Sequence, residues 1–416
     1  MIIYFASDAS PSILELTPSP EGIMDPYRPR TVSSAHRNTT GIWGRGTGWR
    51  RRRFVALASV VLALGLTAAC GSSDGGSSNA KAPKTVTIGL NGGYIGAYSG
   101  YMVAMGDNYL GKVAKDFGTT IKTQPFPGGG PTVMSAVLGG QLQGFMASAS
   151  AGAVPASQGQ PLEFLFNGFT GPGVLIVGAK KHEANGSDLA KYRGGTWCYT
   201  AVGAGTYLAL QSGATQAGLD FSKEKGVAIG SVSAYLPTMK SGKCDITPMD
   251  AGSAATAVKD GIGYIVANLH DPDAQKQIFG GDSPQIGPGL IVTEKFANEY
   301  PDLAQAIVES LFKAQVFIQQ NIDDPSKIYA ALPQEFTSTV DEATYATQWD
   351  LVKPAFASTS GFVTSDMIKN SAAVLERGGL IEKAVPDSFW NMKFVEQASK
   401  DLGYQLPPDG SPVSPK

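Results

Sequence analysis

The chain has 416 residues, of which 16% are charged, and its formal net charge at pH 7 is −2. This balance offers no basic stripe for nucleic acid and no acidic block that would keep a segment solvated. The sequence holds three histidines and three cysteines, and we find no HExxH spacing and no cysteine–histidine grouping in it. We therefore expect a protein that is not an enzyme, holds no metal or cofactor and binds no nucleic acid.

Residues 50–69 form the first recognisable segment, an export signal. Arg50–Arg53 precede sixteen uncharged residues, FVALASVVLALGLTAA, which end in small side chains. These are the basic, apolar and small-residue parts of a secretory signal, and the apolar run is shorter than the roughly 20 residues of a spanning helix. An uncleaved membrane anchor is the alternative, and export by the Sec or the twin-arginine route stays open. Residues 1–49 are interpreted as a disordered leader removed with the signal or as a start codon placed too early.

The end of this signal, TAAC, resembles the lipobox of bacterial lipoproteins, with Ala68 and Ala69 leading into Cys70. The resemblance implies that Cys70 is lipidated and becomes the mature N-terminus, so that acyl chains anchor the protein to the outer face of the cytoplasmic membrane or on the periplasmic side. Residues 70–83 are rich in glycine and serine and are interpreted as a flexible tether. We expect folded protein from about Lys84.

Short apolar runs and helical stretches alternate in the mature chain. TVTIGL, YMVAMGDNYLGKVAKDFG, TIKTQPF, PTVMSAVLGGQL and GFMAS follow one another as βαβαβ. The segment from GGTWCYTAVG to KCDITPMD repeats this plan. Two such α/β units predict two lobes, each with a parallel-rich sheet, flanking helices and binding loops at the carboxyl ends of the strands. In the following amphipathic helix, Leu303, Ile307, Leu311 and Ala314 share one face.

Cys198 and Cys244 remain once Cys70 is assigned to lipidation. Both lie in short strand-like runs, and adjacent parallel strands would set them about 4.8 Å apart, within the span of a disulfide. Two buried free thiols are the alternative.

From Val86 to Ala398, the order of segments resembles the substrate-binding proteins of ABC importers, in the nitrate, sulfonate and taurine group with its thiamine-pyrimidine-binding relatives. The matching stretches are VTIGL, AVLGGQLQGFMAS, DLAKYRGGTW, LPTMKSGKCDI and LIVTEKFANEYPDLAQAIVESLFKAQ. Phe145 stands where this group often has aspartate, and the first loop is richer in tyrosine. The resemblance therefore leaves the solute and its charge open.

This resemblance implies a two-lobed, type II periplasmic-binding-protein (Venus flytrap) fold. Lobe 1 would comprise residues 84–177 and 285–410, lobe 2 residues 178–284, and the two crossings around LIVGAKK and GPGLIVT would form the hinge. The implied function is a monomeric receptor that captures a small solute and delivers it to an ABC permease and its ATPase subunit. A surface sensing or adhesion lipoprotein without transport is the alternative.

Glycine-rich loops follow the predicted strands and run into helix N-termini, where backbone N–H groups bind anions. The candidate ligand-binding residues are Tyr94, Tyr98, Gly129, Gly130, Ser148, Ser150, Gly205, Thr206, Asp250 and Ser253. We expect amides and hydroxyls to hold a small organic anion such as a sulfonate, or nitrate, beside tyrosines that contact an apolar body. The alternatives are tight turns for the glycines, core packing for the tyrosines and a helix N-cap for Asp250. If a ligand ammonium is bound, Asp250 or Asp282, near the return crossing, would hold it.

Overall fold

The computed structural model describes residues 81–415, apart from residues 107, 127 and 129. The predictions for the leader, the export signal, Cys70 and most of the tether lie outside the described residues, as does the candidate Gly129. Within the described part of the chain, no helix combines the length and the hydropathy needed to cross a membrane.

The strands form two five-stranded sheets and a short C-terminal pair. Their bounds are β1 Thr85–Asn91, β2 Thr120–Phe126, β3 Gly144–Ser148, β4 Leu162–Asn167, β5 Leu175–Ala179, β6 Thr196–Tyr199, β7 Lys225–Ala228, β8 Ile246–Met249, β9 Gly263–Asn268, β10 Pro288–Thr293, β11 Tyr404–Gln405 and β12 Ser414–Pro415.

Helices cover both sheets. The α-helices are α1 Ser99–Gly106, α2 Tyr109–Asp116, α3 Gly130–Leu138, α4 Ala149–Ser157, α5 Gly205–Gln216, α6 Tyr235–Lys240, α7 Ala251–Lys259, α8 Pro272–Phe279, α9 Glu294–Glu299, α10 Pro301–Gln320, α11 Pro325–Ala330, α12 Gln334–Thr337, α13 Glu342–Phe356, α14 Ser365–Arg377 and α15 Lys393–Asp401. Short 3-10 helices span Gly96–Tyr98, Lys180–Asn185, Leu189–Tyr192, Phe221–Lys223, Val232–Ala234 and Asp387–Phe389.

The two sheets share one topology. The first has the order β2-β1-β3-β10-β4 and the second β7-β6-β8-β5-β9. In each, four strands run in one direction, and the fourth strand of the order, β10 or β5, is antiparallel to both neighbours. These two strands are the ones that enter from the other lobe, at the carboxyl edge of their neighbours, so they must run away from that edge. The prediction of a two-lobed α/β fold with parallel-rich sheets flanked by helices is confirmed.

Two chain segments, residues 168–174 and 280–287, cross between the sheets and pair with each other. The Gly168 amide donates to the Pro288 carbonyl at 2.9 Å, and the Gly171 amide to that of Gln285 at 2.9 Å. The sequence placed the first crossing around LIVGAKK, but LIVGA is β5, whose five residues are all buried in the second sheet. The strand pairing thus puts this crossing a few residues earlier, while the bounds predicted for the two lobes stay a prediction.

Two local expectations differ in outcome. The stretch YMVAMGDNYLGKVAKDFG forms two helices, α1 and α2, because Asn108 adopts a left-handed φ of 61° that ends helical continuity. The apolar face predicted for α10 is buried, with at most 2% exposure at each of Leu303, Ile307, Leu311 and Ala314.

Cys198 and Cys244 are joined by a disulfide in the second sheet. Cys198 lies in β6 and Cys244 two residues before β8, with their Cα atoms 5.9 Å apart. Both side chains are fully buried. The bond ties neighbouring parallel strands together, the arrangement that their positions in the sequence allowed.

Candidate functional site

A cavity of about 70 Å³ lies between the two sheets. Asn91 and Ser148 end β1 and β3 on one side of it, while Thr200 and Asp250 directly follow β6 and β8 on the other. The carboxyl ends of the parallel strands of both sheets therefore face this cavity, which is where open α/β sheets bind ligands. We refer to it as the first cavity.

The two lobes touch each other beside the first cavity. Gly128 and Ser231 form an isolated antiparallel bridge between a loop of the first sheet and a loop of the second. A side chain added at Gly92 would place its Cβ 3.7 Å from Cγ1 of Val232. A further link is the Asn268 side-chain amide, which donates to the Leu351 carbonyl at 2.8 Å. Because these contacts join the two lobes, the lobes are closed against each other in this structure.

A second cavity of about 40 Å³ adjoins the first. Ser148, Pro172 and Gly205 line both cavities, and we refer to these three residues as the neck. A Cβ at Gly205 would lie 3.4 Å from the Cβ of Ser148. Glycine at this position therefore keeps the neck wider than alanine would.

Two helix N-termini meet at the neck. α4 begins after its N-cap Ser148 and α5 after its N-cap Ala204, and neither N-cap side chain makes a capping hydrogen bond. The first-turn N–H groups of a helix have no partner within the helix and carry a partial positive charge. Ser148 Oγ lies 3.0 Å from Ser150 Oγ, which adds hydroxyl groups beside these amides. The neck can therefore bind an anionic or strongly accepting group.

Asp250 is the N-cap of α7 and borders the first cavity. Its Oδ1 accepts from the Ser253 amide at 3.0 Å, and its Oδ2 from the Ser253 hydroxyl at 2.6 Å. Of the described residues that line the two cavities, Asp250 is the only one with a side-chain carboxylate, and none of them is lysine, arginine or histidine. The carboxylate cancels the positive end of α7 and repels anions locally. An anionic group is thus favoured at the neck rather than next to Asp250.

Tyr235 contributes a neutral hydroxyl to the wall of the first cavity. Burial, reinforced by the negative charge of Asp250, raises the pKa of Tyr235, while the hydroxyls of Thr206 and Thr200 act weakly in the opposite direction. Its Oη is buried beside the hydroxyls of Thr206 and Thr200, which interact with it, whereas Asn91 Oδ1 on the same wall is buried without a hydrogen-bond partner. The hydroxyls of Thr200 and Thr206 are hydrogen-bonded to each other, with 2.8 Å between their oxygens. Asn91 therefore supplies the wall of the first cavity with a polar atom that has no partner within the described chain.

The structure brings together most of the site residues predicted from the sequence. Those lining the first cavity are Tyr98, Ser148, Gly205, Thr206 and Asp250, and those lining the second are Ser148, Ser150 and Gly205.

Three other predicted residues border neither cavity. Tyr94 is half-buried and packs against the core. Gly130 starts α3, and a Cβ there would meet the Cβ of Ala151 at 3.0 Å. Ser253 serves to hold Asp250.

Sequence reasoning missed several residues that line the cavities. Asn91 and Thr200 could have been found, because they stand at or just after the carboxyl ends of predicted strands. Tyr235 starts α6, whereas Gln285 and Trp390 come from the return crossing and the C-terminal segment. No local pattern marks these three.

The described residues include no group of three or more histidine, cysteine, aspartate or glutamate side chains placed to hold a metal ion.

Comparison with known proteins supports this architecture. Residues 81–331 match the model of the NMT1-like family, and no curated protein matches the chain. A protein from Bordetella bronchiseptica RB50 shares 19% identity and a TM-score of 0.64, over 77% of this chain and 98% of that one.

Two further solved structures of similar fold are of solute-binding proteins. The alkanesulfonate-binding protein SsuA from Xanthomonas axonopodis pv. citri, bound to MOPS, is 16% identical with a TM-score of 0.57, over 76% of this chain and 98% of its own. The periplasmic nitrate-binding protein NrtA from Synechocystis PCC 6803 is 13% identical with a TM-score of 0.59, over 79% of this chain and 91% of its own. At these identities the likeness shows a shared fold.

Proposed function

The chain belongs to the NMT1-like family. From this membership and from the first cavity between the lobes, we propose that it is a solute-binding receptor of an ABC import system. The observation that carries the proposal is the first cavity, which both sheets line at the carboxyl ends of their strands. A small solute held there would contact both lobes and thereby favour the closed arrangement. The similar folds of an alkanesulfonate-binding and a nitrate-binding protein support the same function.

The proposed solute is a small organic anion, with its anionic group at the neck. The uncapped N-termini of α4 and α5 supply N–H donors there, so no lysine or arginine is required. Tyr98 and Tyr235 offer aromatic surface in the first cavity, while Asp250 keeps negative charge away from the α7 side. A sulfonate or carboxylate with a body of a few atoms fits this distribution of charge better than a polyanion.

The remaining parts of the proposal concern location and partners. The TAAC sequence supports lipidation at Cys70 and anchoring outside the cytoplasmic membrane, where a monomeric receptor would meet its permease and the ATPase subunit behind it. A Cys70→Ser variant is expected to leave the membrane fraction and to lose incorporation of labelled palmitate. Labelling that persists in this variant would remove the anchor from the proposal.

The test of solute capture is a thermal-shift screen of the purified protein against nitrate, alkyl and aryl sulfonates, taurine, carboxylates, pyrimidines and flavins, followed by calorimetry. A solute at 100 times its dissociation constant should add about 2.7 kcal/mol to the free energy of unfolding. Small-angle scattering with and without the responding solute should show closure. A folded protein that responds to none of these classes would favour the sensing or adhesion alternative.

A further inference from the structure

The second cavity combines apolar walls with unpaired donors. Its apolar side chains come from α4, α5, α8, the return crossing and α14, and they are Ala149, Ala153, Leu208, Phe279, Ile286, Val374 and Leu375. Gln285, Ser371 and Trp390 complete the lining. The C-terminal part of the chain thus closes a compartment that both lobes share.

Gln285, one of the residues that line this compartment, carries a side-chain amide nitrogen without a hydrogen-bond partner. Ser371 Oγ accepts from the Ile286 amide at 3.2 Å, which leaves its proton to donate to Gln285 Oε1 at 3.3 Å. The carbonyl end of Gln285 is therefore engaged, and Nε2 is the group left over. Gln285 is only 6% exposed, and Nε2 is buried without a hydrogen-bond partner. A buried unpaired donor of this kind calls for a partner that the chain itself does not supply.

Trp390 adds a second unpaired donor. Its ring packs against Phe164 and Phe389, with centroid distances of 5.5 Å and 4.7 Å, so its position is fixed. Its indole Nε1 is buried and makes no hydrogen bond. By contrast, the indole Nε1 of Trp349 donates to the Ile322 carbonyl at 2.7 Å. Two buried N–H groups in an apolar compartment favour an apolar ligand group that carries one acceptor oxygen.

We propose that the second cavity binds a short acyl group of the solute, with the carbonyl oxygen accepting from both Trp390 Nε1 and Gln285 Nε2. A volume of about 40 Å³ has room for about three water-sized groups, which matches the three non-hydrogen atoms of an acetyl group. The acyl end of the solute would lie in the second cavity and its polar end at the N-termini of α4 and α5. This inference rests on the proposed function and narrows its substrate class to short-chain solutes that end in an acyl group.

The test compares matched solutes that differ only at the end that enters the second cavity. The pairs are 5-oxohexanoate with hexanoate, 5-oxohexane-1-sulfonate with hexane-1-sulfonate, and 5-oxohexylamine with hexylamine. Calorimetry on the full protein should show about tenfold tighter binding of the keto member, because the plain chain leaves both buried donors unpaired. The pair that binds also identifies the charge of the polar end.

Trp390→Phe keeps the aromatic ring and removes the N–H group. We expect it to weaken binding of the keto solute about tenfold and to leave the plain solute within about twofold. Trp349→Phe is the matched control, since it removes an indole N–H that is paired within the chain and lines neither cavity. It should change neither affinity.

The outcomes separate the two proposals. Equal affinity of keto and plain solutes, or equal weakening of both by Trp390→Phe, would overturn the acyl subsite while leaving the receptor function in place. If no member of any pair binds the folded protein and no solute in the broader screen raises its melting temperature, both the acyl subsite and the receptor function would be overturned.

Discussion

Removal of the disulfide between Cys198 and Cys244 tests how much covalent closure contributes to the second sheet. The bond joins residues 46 positions apart in the sequence. In the chain-entropy model, opening a loop of that length raises the entropy of the unfolded chain and so lowers its free energy by about 4 kcal/mol at 25 °C. We expect the Cys198→Ala/Cys244→Ala variant to lose about that amount of unfolding free energy, or about 6 °C in melting temperature for a domain of this size.

The assay is urea unfolding of the wild type and the double variant, each with and without dithiothreitol. Both cysteines are fully buried, so the reductant reaches the bond only when the second lobe opens. Dithiothreitol should therefore lower the unfolding free energy of the wild type to about that of the double variant and leave that of the variant unchanged. The single variants should resemble the double one, because either substitution opens the loop.

Two results would refute this reasoning. A double variant within about 1 kcal/mol of the wild type would show that the closed loop contributes little. Equal destabilisation of wild type and double variant by dithiothreitol would show that the reductant acts elsewhere in the chain.

Three further predictions concern pH and the cavities. Partial burial raises the pKa of Asp245, but hydrogen bonds from Lys181, Thr196 and His182 outweigh it and hold this pKa at about 2. The stability that the Asp245 carboxylate contributes is therefore present above pH 3.8 and is lost as pH falls through 2. Asp245→Asn should lower the free energy of unfolding, measured with urea at pH 7, by up to about 2 kcal/mol. Burial lowers the pKa of His270 to about 3, so between about pH 3 and 6.5 the unfolded chain binds a proton that the folded chain does not. The free energy of unfolding should therefore rise with pH over this range, and His270→Phe should remove the part of the rise that is due to His270. An unchanged pH dependence in this variant would contradict the prediction. Gly205→Ala should narrow the neck and weaken solute binding at least tenfold in calorimetry without lowering the melting temperature by more than a few degrees, because its Cβ would make only ordinary contacts.

Local sequence determined the order of strands and helices and, with it, part of the candidate site. Ser148, Thr206 and Asp250 were predicted to lie near one another because they follow or flank strands of parallel sheets, and the carboxyl ends of such strands meet at one edge. The same rule would have included Asn91 and Thr200. Hydrophobic periodicity also identified the buried face of α10, since that pattern depends only on residues three and four positions apart.

Tertiary structure alone decided how the cavities are divided and which polar groups in them lack a partner. Gln285 and Trp390 lie more than a hundred residues apart, and no periodicity relates a crossing segment to a C-terminal turn. Whether a buried amide or indole is paired depends on neighbours that arrive from other parts of the chain, as Ser371 does at Gln285. A linear sequence sets which groups are available, and only the packing of distant segments sets which of them remain free to bind a ligand.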